Sequence, residues 1–182
     1  MKPLGRYISI KHGYAFRGDH ITAVDNGIVL VTPGNFCIGG GFKEEKCKFF
    51  NGKVPKDYVL KENDLIVTMT DLSKEGDTLG YCAKVPKSER IYLHNQRIGL
   101  IQFSSEDVEK DYLYWFLRTK KYHDLIVSTS SGSTVKHTSP SRICEVEIDL
   151  PSMGIQKKVV SILNSIDEKI RTNERINKNL AA

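Results

Sequence analysis

Apolar positions in the first hundred residues fall into short runs rich in β-branched and aromatic side chains, at 27–32, 65–70, 80–85 and 98–103. Clusters of Gly, Pro, Asn and Asp separate them, as turns separate strands. The pattern predicts a curved, mostly antiparallel sheet. After residue 104 the period changes: Tyr112, Leu113, Phe116 and Leu117, then Leu125 and Ile126, recur at helical spacing. A helix is expected to begin near Glu106, where Ser104 or Ser105 can cap free amides and Glu106, Asp107 and Glu109 complement the amino-terminal dipole. Its apolar face packs on the sheet. Residues 128–141, STSSGSTVKHTSPS, hold too few apolar side chains for a core element and read as an exposed loop centred on a glycine. Residues 145–150 alternate like a further strand, and Pro151 closes the domain and opens a helix.

The last thirty residues differ in kind. Gln156, Val159, Leu163, Ile166, Ile170, Asn173, Asn177 and Leu180 step by three and four in strict alternation, a heptad seam with Asn at two of the later positions. A seam sustained over about three heptads favours a partner helix, between subunits or between halves of one, over docking on its own domain. The chain therefore reads as α+β. A curved, mostly antiparallel sheet domain with a packed helix occupies 1–150, and a long C-terminal coiled-coil helix occupies 151–182.

Composition adds little to this picture. The 182 residues, with 40% apolar and 27% charged side chains, are those of an ordinary folded chain. The longest apolar runs fall far short of the ~20 residues that span a bilayer, and the first ten residues lack a signal-peptide pattern, so a cytoplasmic protein without a membrane partner is expected. Four separated cysteines, Cys37, Cys47, Cys82 and Cys144, suggest reduced, mostly buried thiols. Charge matters by position: the net +5 is carried unevenly, and residues 118–142 hold five cations against the single carboxylate of Asp124.

Candidate chemistry is sparse. The triple glycine at 39–41 lacks the Gly-Lys-Ser/Thr of a phosphate loop and reads as a mobile turn. No glycine-rich cofactor loop and no Asn/Asp-Pro-Pro-aromatic run encodes amino-methyl transfer, and charged triplets such as 44–46 and 167–169 do not build a metal-dependent nuclease. The five histidines show neither metal-ligand spacing nor a neighbouring nucleophile. No catalytic residue, metal or cofactor is expected. Double-stranded DNA is the partner that the remaining pattern fits. Lys120, Lys121, Lys136 and Arg142 supply phosphate contacts, Ser133 and Thr134 supply hydroxyls, and Arg118, Lys121, Lys136 or His137 are candidates to reach base edges.

Several runs occur in an order that resembles the specificity subunits of type I restriction-modification systems. They are GYAFRG (13–18), VTPGNF (31–36), residues 60–69, HNQR (94–97), DYLYWFL (111–117), SGST (131–134), the strand ending Leu150-Pro151, and Gln156 followed by ILNSIDEKIRTNERINKNL. The resemblance covers nearly the whole chain. It implies a target recognition domain followed by a spacer helix, one of two such units in a full subunit. It further implies a non-catalytic role beside methyltransferase (M) and restriction (R) subunits. Residues 13–18 and 95–97 become structural signatures, and 131–137 the loop that reaches DNA. The chain is then either a half-subunit that dimerises or a fragment of a two-domain subunit; in the first case Val159, Leu163, Ile166, Ile170, Asn173, Asn177 and Leu180 become an antiparallel homodimer seam that restores two readers of a split, palindromic site. Two other readings stand beside this one: the recognition end of a fused methyltransferase-nuclease, and an assembly protein that never touches DNA.

Overall fold

The structure, a computed structural model, describes residues 1–180. Two sheets stack on each other. One has four antiparallel strands in the order Ile8–His12, Ile98–Phe103, Leu65–Thr68, Cys82–Lys84. The other has five, in the order Ile21–Thr22, Lys48–Phe50, Ile28–Val31, Ile91–His94, Val59–Leu60, and only the pair Ile28–Val31 with Ile91–His94 runs parallel. The expected antiparallel sheet is thus two mostly antiparallel sheets, neither of them closed.

Period-2 alternation explains how one strand serves two cores. Along Leu65–Thr68, Ile66 turns toward the five-stranded sheet and meets Val29, Val31, Phe49 and Tyr92. Leu65 and Val67 turn the other way, onto Leu113, Leu117, Tyr122 and Ile126 of the helical layer. Each such buried aliphatic side chain contributes about 1.5–3 kcal/mol relative to exposure.

The helical layer has four members: α1 (Lys110–Phe116), α2 (Lys120–Ser128), α3 (Pro140–Glu145) and α4 (Met153–Leu180). The expected helix start near Glu106 is displaced to Lys110, with the Glu109 carboxylate accepting from Tyr112 N–H at 2.6 Å. Sheet pairing explains the delay. Phe103 pairs with Ile8 and Ser104 N–H bonds to Tyr7 O, which holds residue 104 extended, while Ser105 Oγ only closes a turn onto Asp107 N–H. The expected continuous apolar face is also broken in two, because Thr119 caps a fresh helix through its hydroxyl. The strand expected at 145–150 shrinks to Glu147–Ile148, paired with Lys2–Pro3, and the helix expected at Pro151 begins two residues later, at Met153.

Two of the sequence signatures prove to be one feature. Gly13 lies so close to Asn95 that a Cβ would sit 2.0 Å from the Asn95 carbonyl oxygen. Tyr14 N–H donates to His94 O at 2.8 Å, and Gln96 N–H donates to Tyr14 O at 2.9 Å. Only glycine permits that approach of two backbones. The 39–41 turn, expected to be mobile, is tied down: Cys37 N–H bonds to Gly41 O, Gly41 N–H to Cys82 O, and Arg118 Nε to Gly39 O. All four cysteines are free thiols, but only Cys82 is fully buried, the other three being half-exposed.

Helix α4 splits its faces. Gln156 is 1% exposed, and its amide accepts from Glu109 N–H (2.8 Å) and donates to the carbonyls of Asp107 and Pro151 (both 2.9 Å). Further along, Asn164 accepts from Trp115 Nε1 at 2.8 Å and donates to Asp111, which also pairs with Lys84. Residues 156 and 164 thus fasten the first half of α4 to α1. On another face Ile155, Ile162, Ile166, Ile170, Ile176 and Leu180 are about half-exposed or more. With 100° per residue, positions 155, 162, 166, 173 and 180 fall within a narrow stripe along the helix.

Candidate nucleic-acid interface

From the end of α2 the chain enters a closed hairpin. Ser131 and His137 exchange both backbone hydrogen bonds, at 3.0 and 2.8 Å. Between them Gly132 adopts φ +93°, and a Cβ there would lie 2.0 Å from the Val135 carbonyl oxygen, so only glycine lets the loop close. Ser133 and Thr134 form the exposed tip. The returning strand, Lys136–His137, pairs antiparallel with Thr70–Asp71, and Thr138 N–H reaches Met69 O at 3.0 Å. The expected exposed loop is therefore exposed only in part: its second arm is a strand, and α3 begins inside it at Pro140. The cause is the edge offered by Thr70–Asp71, which continues the Leu65–Thr68 strand past its sheet and would otherwise leave backbone groups unpaired.

The side chains singled out in sequence fall into two groups. Ser133, Thr134, Lys136 and His137 share the hairpin, with His137 Nδ1 3.1 Å from Thr70 Oγ1, a contact that orients the ring. Arg142, on α3, belongs with them, because its guanidinium donates to Thr129 O at 2.6 Å and grips the entering arm. Lys120 and Lys121 stand exposed at the opposite end of α2, about 12 Å up the helix from Ser128. Lys120 pairs with Asp124, a contact between exposed groups that contributes little to stability. Arg118 lies beyond them and faces inward. It donates to Gly39 O and to Tyr114 Oη (2.6 Å), with its guanidinium carbon 4.9 Å and 4.7 Å from the Tyr114 and Trp115 ring centres. Burial pushes the Tyr114 hydroxyl up to about 12 despite the opposing pull of Arg118, so it remains a neutral acceptor.

Beside Arg118 a groove of about 1070 Å³ separates the glycine turn from α4. Its lining mixes five carboxylates (Glu44, Glu62, Asp167, Glu168 and Glu174) with four cations (Lys84, Lys87, Arg118 and Arg171), which gives it no preference for a polyanion. Among the described residues no group of three or more His, Cys, Asp or Glu is placed to hold a metal ion, and no helix is long and apolar enough to cross a membrane.

The sequence pattern of the type I restriction modification DNA specificity domain matches residues 25–182. The chain belongs to that family. The specificity subunit of the type I restriction enzyme EcoBI from Escherichia coli is 27% identical over 158 residues, which are 87% of this chain and 30% of that subunit. That of MjaIX from Methanocaldococcus jannaschii is 32% identical over 73 residues, 40% of this chain and 17% of its own. The fold is that of two solved subunits. The S subunit of the type I system from M. genitalium superposes with a TM-score of 0.64 at 15% identity, over 94% of this chain and 39% of that one. The HsdS subunit from Thermoanaerobacter tengcongensis does so with a TM-score of 0.59 at 15% identity, over 95% and 38%. This specificity domain thus spans at most about two fifths of any of these four relatives.

Sequence reasoning missed the surface beside the hairpin. Residues 71–78 fold into a turn whose base is Asp71, 5% exposed, with Leu72 and Lys74 pointing outward. Asp71 accepts from Ser73 N–H (2.7 Å) and from both the N–H (2.6 Å) and the hydroxyl of Thr78. Burial pushes the Asp71 carboxyl up, but hydrogen bonds from Thr78 and Ser73 outweigh it, and the group lies below the usual carboxylate range. A local signal existed: an Asp side chain readily accepts from the backbone N–H two residues on, the contact that makes an Asx turn.

Proposed function

We propose that this domain reads one half of a split DNA sequence for a type I restriction and methylation complex and performs no reaction itself. The observation that carries the reading is the hairpin at 131–137, in which Gly132 closes the loop and strand pairing holds Lys136 and His137 beside hydroxyls at an exposed tip. Lys136, Arg142, Lys120 and Lys121 contact phosphates and set register, while His137, Ser133 and Thr134 reach base edges. Arg118, whose Nε and one Nη donate to Gly39 O and Tyr114 Oη, holds the glycine turn to α1.

Residues 1–150 serve as the recognition domain and 151–182 as the spacer, the first half of α4 being seated on α1. The stripe along α4, half-buried at Val159 and Leu163 and exposed at Ile166, Ile170, Asn173, Asn177 and Leu180, supports an antiparallel homodimer through those residues, joined by Ile155, Ile162 and Ile176. Such a dimer carries two identical readers and recognises a palindromic split site. Cytoplasmic methyltransferase and restriction subunits, docked on the paired helices, supply catalysis.

Fluorescence anisotropy with a labelled duplex across a salt series tests the DNA face. Replacing Lys120, Lys121, Lys136 and Arg142 with Ala weakens binding and lowers the salt slope by about one unit for every phosphate that the variant no longer neutralises. Unchanged affinity and slope would place DNA elsewhere.

A further inference from the structure

Asp71 occupies an unusual place for a carboxylate, at the foot of a hairpin rich in hydroxyls that carries the cation Lys136. Its two oxygens are filled by Ser73 and Thr78, which closes residues 71–78 into a turn. Its backbone is at the same time the register partner of Lys136, as that of Thr70 is of His137. The turn it closes supports the hairpin from below: a Cβ built on Gly76 would lie 3.7 Å from Lys136 Cγ and 3.3 Å from Val127 Cγ2, so the Lys136 stem crosses the glycine at close range. One residue therefore shapes the floor through its side chain and pairs the hairpin through its backbone.

We infer that Asp71 is a positioning residue for DNA binding, and that its buried carboxylate fixes Lys136 and His137 on the binding face. The inference rests on the reading that the hairpin meets DNA. It makes a prediction whose sign is opposite to simple electrostatics. A negative charge beside a polyanion weakens association, so deleting it should tighten binding. That expectation holds for Asp77, which is exposed on the same turn. It fails for Asp71, whose charge is consumed by three donors and whose loss frees the turn beneath Lys136.

The test compares Asp71→Asn, Asp77→Asn, Thr78→Val, Lys136→Ala and the double variant Asp71→Asn/Lys136→Ala, using a fluorescein-labelled duplex of random sequence over a salt series. Asp77→Asn binds as well as the parent chain or slightly better. Asp71→Asn binds roughly five- to tenfold more weakly, with a salt slope reduced by about one unit, the signature of a single phosphate left without its cation. Thr78→Val removes one donor while leaving the backbone hydrogen bond, and gives a smaller loss of the same sign with a melting transition close to the parent's. In the Lys136→Ala background the effect of Asp71→Asn falls below about twofold, because the two act through one contact. Asp71→Asn binding as tightly as the parent or more tightly, or a fully additive double variant, overturns the inference while leaving the proposed function standing. A parent chain with no salt-dependent binding overturns both.

Discussion

Replacing Gln156 by Met tests whether the long helix is fastened to the recognition domain where its first turns meet α1. Met keeps the length and most of the volume of Gln but removes three hydrogen bonds, one from Glu109 N–H and two to the carbonyls of Asp107 and Pro151. A buried group left without its partner costs about 1–3 kcal/mol. Asp107 is exposed and Pro151 half-exposed, so water recovers part of the loss at the two carbonyls, and the largest share falls on the Glu109 amide. Burying a thioether instead of an amide offsets some of the remainder, leaving a net loss of about 2–3 kcal/mol. For a chain of this size that lowers the melting temperature by about 4–12 °C. Trp115, the sole tryptophan, sits at the same junction with its indole N–H on Asn164, so its fluorescence reports undocking directly during urea unfolding. Gln156→Glu should be worse than Met at neutral pH, since a carboxylate would face two carbonyl oxygens, and should recover as acid protonates it. A Met variant that loses less than about 1 kcal/mol would refute the reasoning, because a Glu109 amide left without its partner at a true junction costs at least that much.

Three further outcomes follow from particular side chains. Gly132→Ala forces a Cβ to 2.0 Å from Val135 O, so it should cost the DNA affinity of the hairpin while the melting temperature, governed by the buried cores and not by the exposed tip, moves by only a few degrees; unchanged binding by anisotropy would show that the tip has no role. Ile166→Asp and Ile170→Asp, at half-exposed positions on the stripe, should convert a dimer to a folded monomer by light scattering at micromolar concentration, and an unchanged mass would remove the helix pairing. Stability should fall in acid in two windows. Burial holds the His94 imidazole below its usual range despite its hydrogen bond with Ile98 O, so the neutral form belongs to the folded state. Its contribution is complete above about pH 6.5 and declines as pH falls through the lowered folded value. Asp71, also lowered, adds its own decline below about pH 4. His94→Gln should flatten the first window in urea titrations, and an unaltered pH profile would contradict the assignment.

Local pattern revealed what local physics decides. The run 98–103 is the strand Ile98–Phe103, and 27–32 contains Ile28–Val31, because each alternates between two apolar faces. Ile91–His94 escaped notice, although it is an interior strand of its sheet, because two of its four members are polar-tipped aromatics and a charged segment precedes it. The helix start was misplaced because a serine looks like a cap wherever it stands, and only the pairing of Phe103 with Ile8 shows that residue 104 is still extended. On α4 the spacing suggested one seam, yet the buried amide of Gln156 and the half-buried amide of Asn164 turn toward α1 and leave the isoleucines outside. The hairpin was legible as a segment but its anchorage was not. Thr70 and His137 lie 67 positions apart, and no local signal announces such a pairing.

The central claim, that this domain directs methylation to one split DNA sequence, is tested most directly by mapping methylated adenines across the genome of cells with and without the gene. One bipartite, palindromic motif should lose methylation when the gene is removed and regain it when the gene is restored, and the Lys136→Ala variant should restore it poorly. A methylation map identical with and without the gene, in cells that carry the methyltransferase subunit, would contradict it.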